Sequence, residues 1–217
     1  LPHLSSSDPE KMGVLYSGAV RKNAILVFPL MALCYIFAEP AITLIYGKLY
    51  TESAIYFKIY LFLLPLRIAT YGILFQAFGK TRFVMYNSLF LLISNAILNY
   101  LLIINFGMQG AAIATVIVTW LSVIIYLIQI AKVLKLNLRA FFPLEKIAKT
   151  AVLTVLCAFF CVLIIKLGKS TIPFMLAGGI VFMIAYLFLG KATGVILDYD
   201  IQLLKGIFTD TIKRLKR

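Results

Sequence analysis

The chain has 217 residues, 63% of them hydrophobic and 13% charged, with a formal net charge of +13. Soluble domains carry about a quarter charged residues and about half apolar ones, so a water-soluble fold is excluded. The basic residues sit in short segments between apolar runs, which argues against a nucleic-acid patch and for a topology signal.

In chain order, residues 1–22 read as a polar segment with Lys11, Arg21 and Lys22. It lacks the basic n-region and apolar core of a cleavable signal peptide. The chain does not open on methionine and is expected to be a piece of a longer protein. A spanning helix needs about 20 mostly apolar residues. The first such run is 23–47, bracketed by Lys22 and Lys48 with Glu39 as its one charge, and the second is 55–78, containing Lys58 and Arg67. No charge lies between Arg82 and Lys132, a stretch too long for one crossing, and Asn105-Phe106-Gly107 offers turn chemistry to divide it. The spacing therefore predicts spans at 83–105 and 110–131, followed by 150–168 and 170–190, with Pro173 tolerated in a first turn. Backbone amides in lipid must be satisfied internally, so the expected fold class is all-α: about six transmembrane helices, together a bundle over 23–191.

Most of the 21 basic residues fall in 1–22, 79–83, 132–149 and the tail from Lys191. The positive-inside rule places these segments, and both ends of the chain, on the cytoplasmic side of the cell membrane. The tail, 192–217, reads as an amphipathic helix from Asp198, with Ile201, Leu204, Phe208, Ile212 and Leu215 at helical spacing and Asp198 or Asp200 as its cap. Lys213, Arg214, Lys216 and Arg217 suit anionic lipid head groups at the interface.

Polar residues inside the runs are the candidate functional ones. A lone arginine at the bilayer centre costs about 3 kcal/mol on insertion scales, so it faces a partner or a wet cavity. Arg67 has three open choices: Glu39, an acid outside this sequence, or an anionic ligand. Tyr60, Leu64, Arg67 and Tyr71 follow helical spacing on one face, and an aromatic-flanked guanidinium suits phosphate or sugar hydroxyls. Lys58 lies on the opposite face and is expected to snorkel outward. Ser88, Asn95 and Asn99 share a face of the third run and either bond neighbouring helices or line a polar cavity. Gly110, Ala111, Ala114 and Thr115, and likewise Gly178-Gly179, read as close helix packing. Cys157 and Cys161 share a face without a nearby histidine or carboxylate, so packing rather than metal binding is expected, as it is for Cys34. The lone His3 has no partner of a catalytic pair, and no nucleophile elbow or glycine-rich phosphate loop is present. Neither an enzyme nor a cofactor is expected.

Several stretches carry a family likeness. They are Leu1-Pro2-His3-Leu4-Ser5 with Asp8-Pro9-Glu10-Lys11; Glu39-Pro40-Ala41-Ile42-Thr43-Leu44-Ile45-Tyr46-Gly47; Ala77-Phe78-Gly79-Lys80-Thr81-Arg82; Asn99-Tyr100-Leu101-Leu102-Ile103; and Phe106-Gly107-Met108-Gln109-Gly110-Ala111-Ala112-Ile113-Ala114-Thr115. Residues 1 to 135 on these grounds resemble the C-terminal part of Wzx-type polysaccharide flippases, of the multidrug/oligosaccharidyl-lipid/polysaccharide exporter superfamily. The resemblance implies a fourteen-span fold whose N-terminal transmembrane half is missing here. It implies a function in flipping undecaprenyl-pyrophosphate-linked oligosaccharide by alternating access, for cell-surface polysaccharide biosynthesis. Arg67, Tyr60, Tyr71, Asn95 and Asn99 are then the expected cavity lining, a placement the family pattern does not itself fix at Arg67. The expected partners are the lipid-linked substrate, membrane lipids and the missing half, with no nucleic acid. The alternatives are a sibling exporter for the peptidoglycan lipid precursor or for drugs, and a membrane-embedded glycosyl- or acyltransferase or a structural subunit.

Overall fold

The computed structural model describes residues 9–134, 138–168, 172–197 and 199–200. The expected interfacial helix, with Lys213, Arg214, Lys216 and Arg217, lies outside these described residues. The described chain is built of helices and divides into two compact units, Leu1–Leu144 and Glu145–Arg217. Five stretches of it are long and apolar enough to cross a membrane: Gly13–Ile36, Ser53–Gln76, Arg82–Lys132, Leu144–Leu167 and Pro173–Ala192. The protein is thus an all-α, multi-pass membrane protein.

In the first unit, α1 spans Pro9–Ile36 and α2 spans Ala38–Tyr46. The helix starts well before Asn23, and Arg21 and Lys22 lie inside it. Charge bracketing finds the edge of the apolar run, whereas polar residues with good helix propensity continue the helix beyond that edge. The α1 ladder breaks after Ile36 because Pro40 has no N–H to give to the Ile36 carbonyl. Gly47, at φ 90°, then ends α2 and passes the chain to a 3-10 turn at Lys48–Tyr50. The hydroxyls of Thr43 and Thr51, 3.2 Å apart, tie that turn back to α2.

The second apolar run is not one helix. It consists of α3 (Ser53–Leu61), a 3-10 segment (Leu64–Ile68), an extended residue at Ala69 and α4 (Gly72–Ala77). After Gly79, at φ 66°, helix α5 runs from Arg82 to Leu134, with one residue outside helical geometry, Gly107 (φ 58°, ψ −144°). That conformation is open essentially to glycine alone. The chain reverses there. The Asn87 amide reaches the Ser122 hydroxyl at 2.7 Å, and a Cβ on Gly110 would collide with the Leu102 carbonyl. The long uncharged stretch is therefore an antiparallel hairpin, with Gly107 inside the Asn105-Phe106-Gly107 turn read from the sequence.

The short helix α6 (Leu138–Phe141) returns to α1, where the Phe141 and Tyr16 rings lie 6.4 Å apart. An aromatic core fills this part of the unit. Tyr71 stacks on Tyr126 at 6.3 Å and meets Phe142 at 6.4 Å, while Phe75 stacks on Phe83 at 5.3 Å.

In the second unit, α7 (Leu144–Leu167) and α8 (Ile172–Ala192) pair antiparallel. The stripe Thr150, Leu153, Thr154, Cys157, Cys161 and Ile165 is the buried face of α7. Gly178, Phe182, Tyr186 and Gly190, four apart, form the buried face of α8. Both cysteines are free thiols packed in this seam. Among the described residues no cluster of histidine, cysteine and carboxylate has the makings of a metal site. Thr150 and Thr154 donate to the Lys146 and Thr150 carbonyls at 2.8 Å each, so their hydroxyls are satisfied within the helix. Outward residues such as Val155, Phe159, Ile184 and Phe188 are apolar and exposed, as a lipid-facing surface requires.

Without a hydrophobic effect between helices, such a seam depends on close packing at small residues. A Cβ on Gly178 would lie 2.9 Å from Cγ1 of Ile165 and 3.2 Å from the Cys161 carbonyl oxygen. Gly178→Leu is therefore expected to destabilise the α7–α8 pair by about 1–3 kcal/mol. An SDS titration of the purified protein in mild detergent, followed by circular dichroism, measures it; an unshifted midpoint would contradict this packing.

Candidate functional site

The interruption of the second run is the feature that sets this chain apart from a plain bundle of helices. Pro65 lacks the N–H that the Leu61 carbonyl would accept, and the ladder tightens: Leu63 donates to Tyr60, and Leu66 donates to Leu63 at 3.1 Å. The Phe62 carbonyl thereby loses Leu66 as its helical donor. The indole N–H of Trp120, on the return arm of α5, takes that place at 3.0 Å. At the other end Ala69 is extended (φ −135°, ψ 150°), which denies the Ile68 carbonyl its regular helical donor. The side-chain amide of Asn23, on α1, donates to it at 2.9 Å. An unmet backbone carbonyl in hydrocarbon costs several kcal/mol, so these two side chains make the break tenable.

Arg67 sits within the interrupted segment. Leu66 and Ile68 on either side of it are buried, whereas Arg67 itself is exposed. Among the described residues no carboxylate lies within ion-pair distance of it. Glu39, one of the three partners open to it, is exposed on α2 and does not reach it. The guanidinium therefore stands with five donors available at an irregular stretch of backbone.

The other expected site residues divide. Tyr60 is exposed, one turn before the break. Tyr71 is buried, in the aromatic core against Tyr126 and Phe142. The shared face of Tyr60, Leu64, Arg67 and Tyr71 assumes an unbroken helix. The break rotates the two halves relative to each other, so Arg67 and Tyr71 end in different surroundings. Asn95 and Asn99, both half-buried, bond each other at 3.0 Å from Asn99 Nδ2 to Asn95 Oδ1. The remaining oxygen, Asn99 Oδ1, is buried and meets no donor among the described residues. Ser88, expected on the same face, is exposed and donates to the Val84 carbonyl of its own helix. Lys58 places its ammonium 5.7 Å from the centre of the Tyr35 ring, a cation–π contact.

Three residues escaped the sequence reading. Asn23 passes for the first residue of an apolar run, Trp120 drew no reading within the fourth run, and Asn87 went unread beside Ser88. Asn87 is buried, links the arms of the α5 hairpin through Ser122, and leaves its Oδ1 without a donor among the described residues. The sequence does mark the place at Pro65, which frees a backbone carbonyl and permits a kink in the second run.

A family model described as "Lipid II flippase MurJ" matches residues 1–189. No curated protein matches, and no solved structure does. The match agrees with the superfamily of lipid-linked-substrate exporters that the sequence motifs resemble, and it is to a family of transporters rather than of enzymes. It does not extend to the Wzx polysaccharide type within that superfamily. The chain belongs to the lipid II flippase MurJ family.

Proposed function

We propose that this chain forms the second helical bundle of a flippase that carries lipid II, the lipid-linked peptidoglycan precursor, across the cytoplasmic membrane by alternating access. The family match over residues 1–189 carries this reading. The other bundle comes from an N-terminal transmembrane half. Arg67 contacts the pyrophosphate of the substrate, with Tyr60, Asn95 and Asn99 along the same path and Tyr71 behind it. An exposed guanidinium without a carboxylate partner among the described residues, beside a break in a membrane helix, supports that assignment: irregular backbone at membrane depth persists where it lines a cavity, and discontinuous helices mark transporter binding sites. Arginine also presents a planar fork that matches phosphate oxygens.

Both chain ends face the cytoplasm in this reading, supported by the basic residues at 1–22, 79–83, 132–149 and beyond Lys191. The basic tail with Lys213, Arg214, Lys216 and Arg217 lies on the anionic inner leaflet.

A second reading keeps the same mechanism with a different cargo, an undecaprenyl-pyrophosphate-linked oligosaccharide for surface polysaccharide. The stretches 39–47, 77–82 and 106–115 favour it through their likeness to the Wzx type. Both cargoes share the pyrophosphate that Arg67 would meet, and they differ in the sugar.

The complete protein is expected to restore growth to cells depleted of their lipid II flippase. Rescue of a polysaccharide-flippase null strain instead, without rescue of growth, would move the assignment to the second cargo. Arg67→Ala should lower transport roughly tenfold with membrane insertion intact, and Arg67→Lys should restore part of it. Transport at the parent rate in Arg67→Ala removes Arg67 from the substrate path. In intact cells an impermeant maleimide should label Leu49→Cys, and should label Lys80→Cys only after permeabilisation. The reverse pattern inverts the topology.

A further inference from the structure

In a continuous helix the Ile68 carbonyl would accept from the N–H of residue 72, and the Phe62 carbonyl from that of residue 66. Here side chains of two other elements replace those donors: the Asn23 amide at 2.9 Å and the Trp120 indole at 3.0 Å. The two contacts bracket the segment that carries Arg67. In the unbroken alternative, Arg67 and Tyr71 are i and i+4 neighbours on one face. In the structure Arg67 is exposed while Tyr71 is buried against Tyr126 and Phe142. The interruption is what separates them, and a helix that closed through residues 69 and 70 would carry position 67 towards the face that Tyr71 buries.

We infer that Asn23 is a positioning residue for Arg67: its amide, with the Trp120 indole at the other end, holds the second span open at Leu64–Ala69 and so keeps the guanidinium presented. This rests on the reading of Arg67 as a headgroup contact. Neither side chain needs to touch substrate. Asn23 acts through the backbone immediately after Arg67, and Trp120 through the backbone before Pro65. The arrangement also fixes which elements move together. Because α1 holds one end of the interrupted segment and the α5 hairpin the other, any shift of α1 relative to α5 is transmitted to the turn between them.

The test measures water access at position 67, independent of transport. The complete protein in native membranes carries Arg67→Cys, with Cys34, Cys157 and Cys161 replaced by alanine. The rate of reaction with a charged methanethiosulfonate reagent is then compared with Asn23 intact, in Asn23→Leu, and in Asn23→Gln. Leucine keeps the branched shape and removes the donor; glutamine retains an amide. The expected result is reaction at least roughly fivefold slower in Asn23→Leu, as position 67 follows Tyr71 into packing, and recovery in Asn23→Gln, which can again cap the carbonyl. A rate within about twofold of the parent in Asn23→Leu, or equal slowing in both variants, overturns the proposal. If Asn23→Leu fails to insert, Trp120→Phe removes the indole N–H at the other end and is read by the same criterion. The two readings fail separately: normal transport in Arg67→Ala would end the headgroup role and leave the thiol result standing, whereas an unchanged thiol rate would end the positioning role whatever Arg67→Ala does.

Discussion

Within a bilayer a backbone carbonyl that loses its helical partner must find another donor, and the lipid tails supply none. That constraint governs the first unit of this protein. Pro65 and the extended Ala69 strip the Phe62 and Ile68 carbonyls of their helical donors, and Trp120 and Asn23 answer them from two other helices. The contacts tie the interrupted span to the return arm of α5 at one end and to α1 at the other. The aromatic core of Tyr71, Phe75, Tyr126 and Phe142 then packs beyond the break, on the α4 side. The second unit obeys the same constraint more simply, with unbroken helices, threonines that bond their own backbone, and a seam narrow enough to require glycine.

Function in such a family turns on moving a large polar headgroup past an apolar barrier. A run of regular helices lined with leucine and phenylalanine offers it nothing. The proposed path runs instead past a short stretch of irregular backbone with an exposed arginine that no carboxylate meets among the described residues. In the proposed reading, an anionic headgroup would relieve the insertion penalty of Arg67.

Much of the fold was legible in the residues. The apolar runs, the turn at Asn105-Phe106-Gly107, the small-residue packing at Gly178 and the burial of Cys157 and Cys161 all follow from composition and spacing, since lipid allows helices little freedom. What spacing could not supply was continuity. Periodicity sets Arg67 beside Tyr71 only while the helix persists, and whether it persists past Pro65 depends on donors at Asn23 and Trp120, far away in sequence. The ends of the first helix escaped for a related reason: charges mark where lipid stops, not where helical hydrogen bonding stops. The family was legible to the level of the superfamily. Motifs around turns and span ends, where backbone geometry dictates the residue, are shared among exporters of different cargo, so they led to the polysaccharide branch where the match over residues 1–189 leads to the lipid II branch.

The reversal at Gly107 bears on how this protein enters its membrane. Transferring an arginine or lysine through hydrocarbon costs about 3 kcal/mol, and transferring an uncharged apolar helix is favourable. Nothing from 83 to 131 is charged, and both flanking cations, Arg82 and Lys132, stand at the open end of the hairpin. The two arms can therefore enter the insertion machinery as one closed loop, tip first, with no charge dragged across. Their pairing through Asn87 and Ser122 can be in place before the neighbouring helices arrive, which would give those helices a formed wall to assemble against.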